Sequence, residues 1–289
     1  MKYYTEILCF LFLSYLGASA SSPTQSGHSL ALYLQQNDQP RSAAVEWRRL
    51  ALQSKDPQHQ AGYYWAAAYQ YWQLEDPLVS EKMLDAAEDA WWDIEDVSLI
   101  LRAETATQRA DRSSASFYWS SLKRADDSPE ATRLAHRRLA YLELQQENVS
   151  EARNILENSP ADETQALQAI DTYQAGSDKN PRVGGLLGMI PGMGYAYAGE
   201  YGNALRSFIL NSIFIYGMVD TAQKDQWGAF AAITFFEITW YSGSIYGGID
   251  AAHRYNRNRR EQLSRDVDGD ATFSPDWRAI PQVTLEFTF

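Results

Sequence analysis

The strongest constraint on the fold is an internal period. From Gly27 to about Ser177 the chain carries helical spacing, with Gln-Pro, Asp-Pro and Ser-Pro punctuation and almost no glycine. Aligning the pairs Leu30-Ala31, Ala67-Ala68, Arg102-Ala103 and Leu139-Ala140 gives spacings of 37, 35 and 37 residues. Twelve residues beyond each pair stands a small residue: Ala43, Ser80, Ala115 and Ala152. Four further on comes a large apolar one (Trp47, Leu84, Trp119, Leu156), and three beyond that stand Leu50, Ala87, Leu122 and Ser159. A period of this length means one supersecondary unit per repeat. A lone helical hairpin cannot bury the apolar faces of both helices, so stacked neighbours share a continuous core and leave a concave surface. Such surfaces bind proteins or peptides.

The register resembles the tetratricopeptide repeat over about residues 27–160, best in YYWAAAYQYWQLEDPLVSEKMLDAA (63–87) and HRRLAYLELQQENVSEARNIL (136–156). Arg102 departs from the apolar residue usual in that family, and the periods exceed its usual length of about 34 residues. The resemblance implies an all-α chain that opens with a tetratricopeptide-like α-solenoid, here the repeat domain 21–178. Trp65, Trp72, Trp91, Trp92, Tyr63, Tyr64, Tyr69 and Tyr71 make this part dense in aromatic residues. Two readings stay open: packing within and between repeats, or a partner-binding groove for which Trp91, Trp92, Tyr64 and Tyr71 are the candidates. Neighbouring helix positions point about 100° apart, so Trp91 and Trp92 cannot both face one core stripe.

Residues 1–20 combine Lys2, an apolar core from Ile7 to Leu16 and an Ala18-Ser19-Ala20 ending, the pattern of an export signal. An uncleaved anchor is the alternative, but the run is short of the roughly 20 residues of a bilayer span. Cys9, the only cysteine, lies inside this segment, which excludes a disulfide framework, thiolate zinc sites and a cysteine nucleophile from the rest of the chain. The formal charge is -12, and residues 21–180 hold 15 basic against 25 acidic side chains, a balance that repels nucleic acid. The four histidines are scattered, with no Ser or Asp motif beside them.

After the polar hinge AGSDKNPR (175–182) three apolar stretches follow: 183–198, 204–219 and 227–248. The third is long enough for a span, the second is short, and the first is broken by Pro191 and by seven glycines between Gly184 and Gly202. The glycines of GMIPGMGYAYAGEYGNA (188–204) raise the question of a phosphate loop, yet no Lys-Ser/Thr and no Gly-x-Gly-x-x-Gly is present. A membrane reading accounts for more: bends and close helix approach at the glycines, and tyrosines suited to an interface. Pro191, Gly192, Gly194, Tyr197 and Gly199 resemble the Pro-Gly-x-Gly-x-x-Tyr-x-Gly motif of a poorly characterised bacterial membrane module, for which no activity is implied. The module is placed at 179–262.

Arg206 and Glu237 are the charges well inside the apolar block. Intramembrane charge is expensive unless paired, so the two are expected to approach each other or line one polar site; the alternative puts Arg206 at the interface and Glu237 against protein. The basic run 253–262 would favour a cytoplasmic side in an inner membrane, while an outer-membrane location would make that rule silent.

The tail 263–289 ends with Val283, Leu285, Phe287 and Phe289 alternating with Thr284, Glu286 and Thr288, a strand signal. Its terminal phenylalanine resembles the C-terminal signal of outer-membrane β-barrel proteins, so such a protein is a candidate partner. Pairing with a sheet edge and chance alternation both remain open. Asp266, Asp268 and Asp270 resemble the start of a calcium loop, with the glycine misplaced and Trp277 at the twelfth position. The expectation is a non-enzymatic envelope scaffold, exported, with periplasmic repeats, a membrane attachment, and envelope proteins or peptides as partners, without cofactor or metal. The alternative is a component of transport or insertion machinery working around Arg206 and Glu237.

Overall fold

The structure, a computed structural model, describes residues 28–122, 128–269 and 271–289. The export signal expected at 1–20 lies outside them. The described residues are all-α apart from one short strand pair. Helices α1 (Ser29–Gln36), α2 (Pro40–Gln53), α3 (Pro57–Gln73), α4 (Pro77–Ala90), α5 (Glu95–Gln108) and α6 (Arg112–Leu122) come first, with a 3-10 turn at Trp92–Ile94. They are followed by α7 (Pro129–Leu144), α8 (Val149–Glu157), α9 (Thr164–Ala175), α10 (Pro181–Gly188), α11 (Met193–Tyr197), α12 (Tyr201–Gln223) and α13 (Trp227–Asp268). Strands β1 (Thr272–Pro275) and β2 (Leu285–Thr288) pair with each other. By contacts, residues 28–122 with 273–286 form one unit, and the described residues of 128–272 with 287–289 form a second.

Proline punctuates the helix starts because its missing N–H and fixed φ suit the first helical position. Pro57, Pro77 and Pro129 each follow a cap, where the side chains of Asp56, Asp76 and Ser128 accept the backbone N–H of His59, Val79 and Ala131. In the first unit consecutive helices pack against one another, and the aligned small and large residues of the sequence are buried between them. Ala31, Ala68 and Ala103 are fully buried, as are Ala43, Ser80 and Ala115 and the large Trp47, Leu84 and Trp119. Small side chains let the backbones approach, and the large ones fill what remains. Arg102, the departure from the period, is explained locally: its guanidinium reaches back to Glu88 (2.9 Å) and Asp85 (2.7 Å) on α4.

In the second unit, Ala140, Leu144, Ala152, Leu156 and Ile170 of α7–α9 form one core with Leu263 and Val267 of α13. Helix α13 has 42 residues, about 63 Å at 1.5 Å per residue, and runs unbroken from the apolar stretch into that core. The hinge is fastened to it: the Asn256 side chain accepts from Lys179 N (2.7 Å) and donates to Lys179 O (2.9 Å).

Gly188, Gly192 and Gly194 of the 188–204 stretch serve close packing. A Cβ on Gly194 would sit 2.6 Å from Gly184 O, and one on Gly184 would sit 2.4 Å from Gly248 O. At Gly192 φ is +85°, and a Cβ there would meet Ala204 O at 2.3 Å, so both conformation and space demand glycine. Gly199 also has positive φ, with open space around it, and Pro191 opens the turn between α10 and α11. Tyr197 Oη accepts the N–H of Asn180 at 3.0 Å.

The stretch 227–248 falls within α13, but among the described residues no helix is long and apolar enough to cross a membrane. Glu237 and the hydroxyl residues Thr234, Thr239, Ser242 and Ser244 interrupt its apolar character.

Candidate functional site

Two places carry chemistry that simple packing leaves over. The first is an aromatic box in the first unit, and its occupant is the chain's own tail. Trp47 on α2 stacks on Tyr63 of α3 (5.9 Å) and on Trp277 (6.1 Å). Tyr69 meets Trp277 edge-on at 5.5 Å and Phe273 at 6.0 Å, and Phe273 stacks on Trp72 at 5.6 Å. Two rings of the tail, four residues apart, thus enter a wall of three rings from two helices. Burial pushes the Tyr69 phenol up to about 12, so it stays neutral. The tail backbone comes so close that a Cβ on Gly62 would lie 1.7 Å from Pro281 O. Gly62 in mid-helix is therefore a docking point for main chain, a use of glycine that outweighs its entropic cost.

Of the four residues proposed from sequence for partner binding, none joins this stack among the described residues. Tyr64 and Tyr71 are half-buried on α3. Trp91, half-buried, walls a cavity of about 390 Å³ with Pro281, Gln282 and Val283 on the other side. Trp92 is 73% exposed. Of the residues that form the box, Tyr69 and Trp72 were legible as aromatic density and Trp47 as a large apolar position of the period; Phe273 and Trp277 were not connected to it, because nothing local in the tail names its target.

The tail's alternation is realised side by side: Val283, Leu285, Phe287 and Phe289 are half-buried, and Thr284, Glu286 and Thr288 exposed. The Arg133 guanidinium lies 4.3 Å from the centre of the Phe289 ring, a cation–π contact. Arg133 and Arg137 converge on the buried Glu163 at 3.2 and 2.9 Å. Asp268 pairs with Arg138 and Asp266 accepts from Gln262, while Asp270 lies outside the described residues. Among the described residues, no group of three or more His, Cys, Asp or Glu is placed to hold a metal ion.

The second place is the α12–α13 hairpin, whose burial is inverted. Its buried residues from 201 to 247 are Asn211, Thr221, Glu237 and Ser244. Its exposed residues include Leu205, Phe208, Ile209, Ile213, Tyr216 and Val219 on α12, and Phe235, Phe236, Ile238 and Trp240 on α13. The polar side chains find partners inside: Ser207 and Ser244 share a hydrogen bond of 3.2 Å across the hairpin, and Asn211 Nδ2 donates to Ser207 O at 2.6 Å. Thr221, Thr234, Thr239 and Ser242 donate to carbonyls one turn back on their own helices. That habit satisfies a hydroxyl where water is not available.

Arg206 and Glu237 are not joined by an ion pair among the described residues. Arg206 is exposed and lines a cavity of about 290 Å³ with Ser207, Asn211, Trp240 and Ser244. Glu237 is buried, with its Oε2 lacking a hydrogen-bond partner, and burial raises its carboxyl above the ordinary range. In the sequence the apolar residues of this block stand out first. The sharper signal was the polar set, Ser207, Asn211 and Thr221 with Glu237 and Ser244, which recurs at helical spacing and marks the inner faces.

No protein-family model, no curated protein and no solved structure matches this chain.

Proposed function

We propose that this protein is a non-enzymatic scaffold of the bacterial cell envelope, in which tetratricopeptide-like repeats present a surface for partner proteins and the α12–α13 hairpin seats the chain in lipid. The inverted burial of that hairpin carries the reading. Ten large apolar side chains at about half exposure present on the order of 1,000 Å², against roughly 300–600 Å² for the largest patch of an ordinary monomer. At about 25 cal/mol per Å² their removal from water is worth on the order of 25 kcal/mol before costs. Carrying one arginine into a bilayer costs only about 3 kcal/mol on insertion scales, so the apolar term wins. The export-like segment and the repeat register support the envelope and scaffold parts of the reading.

The test is flotation of the full chain with phosphatidylcholine vesicles. The wild type is expected to float, and a Phe208→Asp/Ile213→Asp variant, whose changes face outward, to stay in the dense fraction with an unchanged far-UV spectrum. Vesicle-independent behaviour of the wild type would reject lipid seating and assign the apolar girdle to a protein partner.

A further inference from the structure

We infer that the cavity beside Arg206 is a binding site for one phospholipid, with the headgroup phosphate on the Arg206 guanidinium. The inference rests on the seating of the hairpin in lipid and adds a specific ligand to it. Three observations converge. Arg206 has no ion-pair or hydrogen-bond partner among the described residues, although it stands in a block of apolar neighbours where an unpaired cation is costly. Asn211 lines the same cavity while only 2% exposed, and its Oδ1 accepts no hydrogen bond, so a buried acceptor waits for a donor. The cavity measures about 290 Å³ and carries both polar and apolar walls, near the lower end of the roughly 300–1,000 Å³ of small-ligand pockets.

The chemistry fits a headgroup rather than a whole lipid. A phosphate oxygen would accept from Arg206, whose planar fork matches an oxyanion in a way a point charge does not. A headgroup hydroxyl would donate to Asn211 Oδ1 once the side chain turns that sealed atom toward the cavity. Trp240, half-exposed at the rim, supplies the amphipathic ring that favours headgroup depth. Acyl chains would then run outside the cavity along the exposed Ile209, Ile213 and Tyr216 side of α12. From Arg206 to Tyr216 the helix descends about 15 Å, comparable with half the thickness of a bilayer's hydrocarbon core. Inorganic phosphate shares the anion chemistry but has nothing to place against that apolar flank.

Native mass spectrometry of the delipidated full chain, titrated with dioleoyl phosphatidylglycerol or with inorganic phosphate, tests the site. One phosphatidylglycerol should be retained by the wild type, with affinity reduced about ten-fold or more in Arg206→Gln and by less in Arg206→Lys. Asn211→Leu, which replaces an unsatisfied buried acceptor with an apolar group, should fold at least as well and still weaken retention. Equal retention by Arg206→Gln overturns the proposal, and so does binding of inorganic phosphate as tight as that of the lipid. If the chain ignores phosphatidylcholine vesicles altogether, the seating itself fails; if it floats but retains no phosphatidylglycerol, only the headgroup site does.

Discussion

Replacing Gly62 with alanine separates a docked tail from a tail that merely lies nearby. In an ordinary helix interior, Gly→Ala stabilises by roughly 0.5–1 kcal/mol, because glycine loses more backbone entropy on folding. Gly62 lies within α3, but the new Cβ would fall 1.7 Å from Pro281 O, 2.6 Å from Pro281 C and 3.0 Å from Pro281 Cα. These are backbone atoms and cannot swing aside as a side-chain end would, so the tail must lift. Lifting exposes Phe273 and Ile280, both almost fully buried, and parts Trp277 from Trp47 and Tyr69. Loss of one buried aromatic ring costs about 3–5 kcal/mol. Set against the helix gain, Gly62→Ala should destabilise the first unit by about 2–4 kcal/mol, the opposite sign to the default. Guanidinium unfolding in mild detergent, followed by tryptophan fluorescence, measures it. In a chain truncated after residue 272 the same substitution should recover its default sign, and with Trp277→Ala it should be strongly non-additive. A stabilising Gly62→Ala in the full chain, additive with Trp277→Ala, would refute the docking.

The paired tryptophan positions offer a control on burial: Trp119→Ala should cost about 3–5 kcal/mol and Trp92→Ala less than about 0.5, read by the same unfolding curves. The Glu200 carboxylate accepts two hydrogen bonds from Arg254, at 2.8 and 2.9 Å, which hold it below the ordinary carboxylate range. The unfolded chain therefore takes up that proton first on acidification, so the contribution is complete above the usual value near 4.5 and fades as pH falls through the lower, folded value. Glu200→Gln should flatten this acid limb in thermal melts recorded from pH 7 to pH 3. At Glu237 the sign reverses: burial favours the neutral acid, and any stability it gives is lost as pH rises above the unfolded value. Glu237→Gln should consequently leave vesicle flotation intact and raise the melting temperature at neutral pH, whereas loss of flotation would point to a working carboxylate.

Much of the fold was legible because its causes are local. Helical spacing, the Asp-Pro and Ser-Pro junctions capped by Asp56, Asp76 and Ser128, and a strict alternation from Val283 to Phe289 are each written within a few residues of where they act. The tail's target was not legible, since Trp277 finds Trp47 across 230 positions and neither residue's neighbours specify the other. The inner face of the hairpin was half legible. Its polar residues stood at helical spacing, but Arg206 and Glu237 drew attention by charge, and charge alone does not tell which side of a helix a residue occupies. Arg206 faces out and Glu237 faces in.

The docked tail also sets a clock. At synthesis rates of about 5–20 residues per second, the ribosome needs roughly 10–45 s to pass from Trp47 to Trp277, and throughout that interval the rings of Trp47, Tyr69 and Trp72 lack their last partners. The first helices made are thus among the last to be completed. A message cut short near its end would yield a product that displays its own incompleteness as a sticky aromatic face.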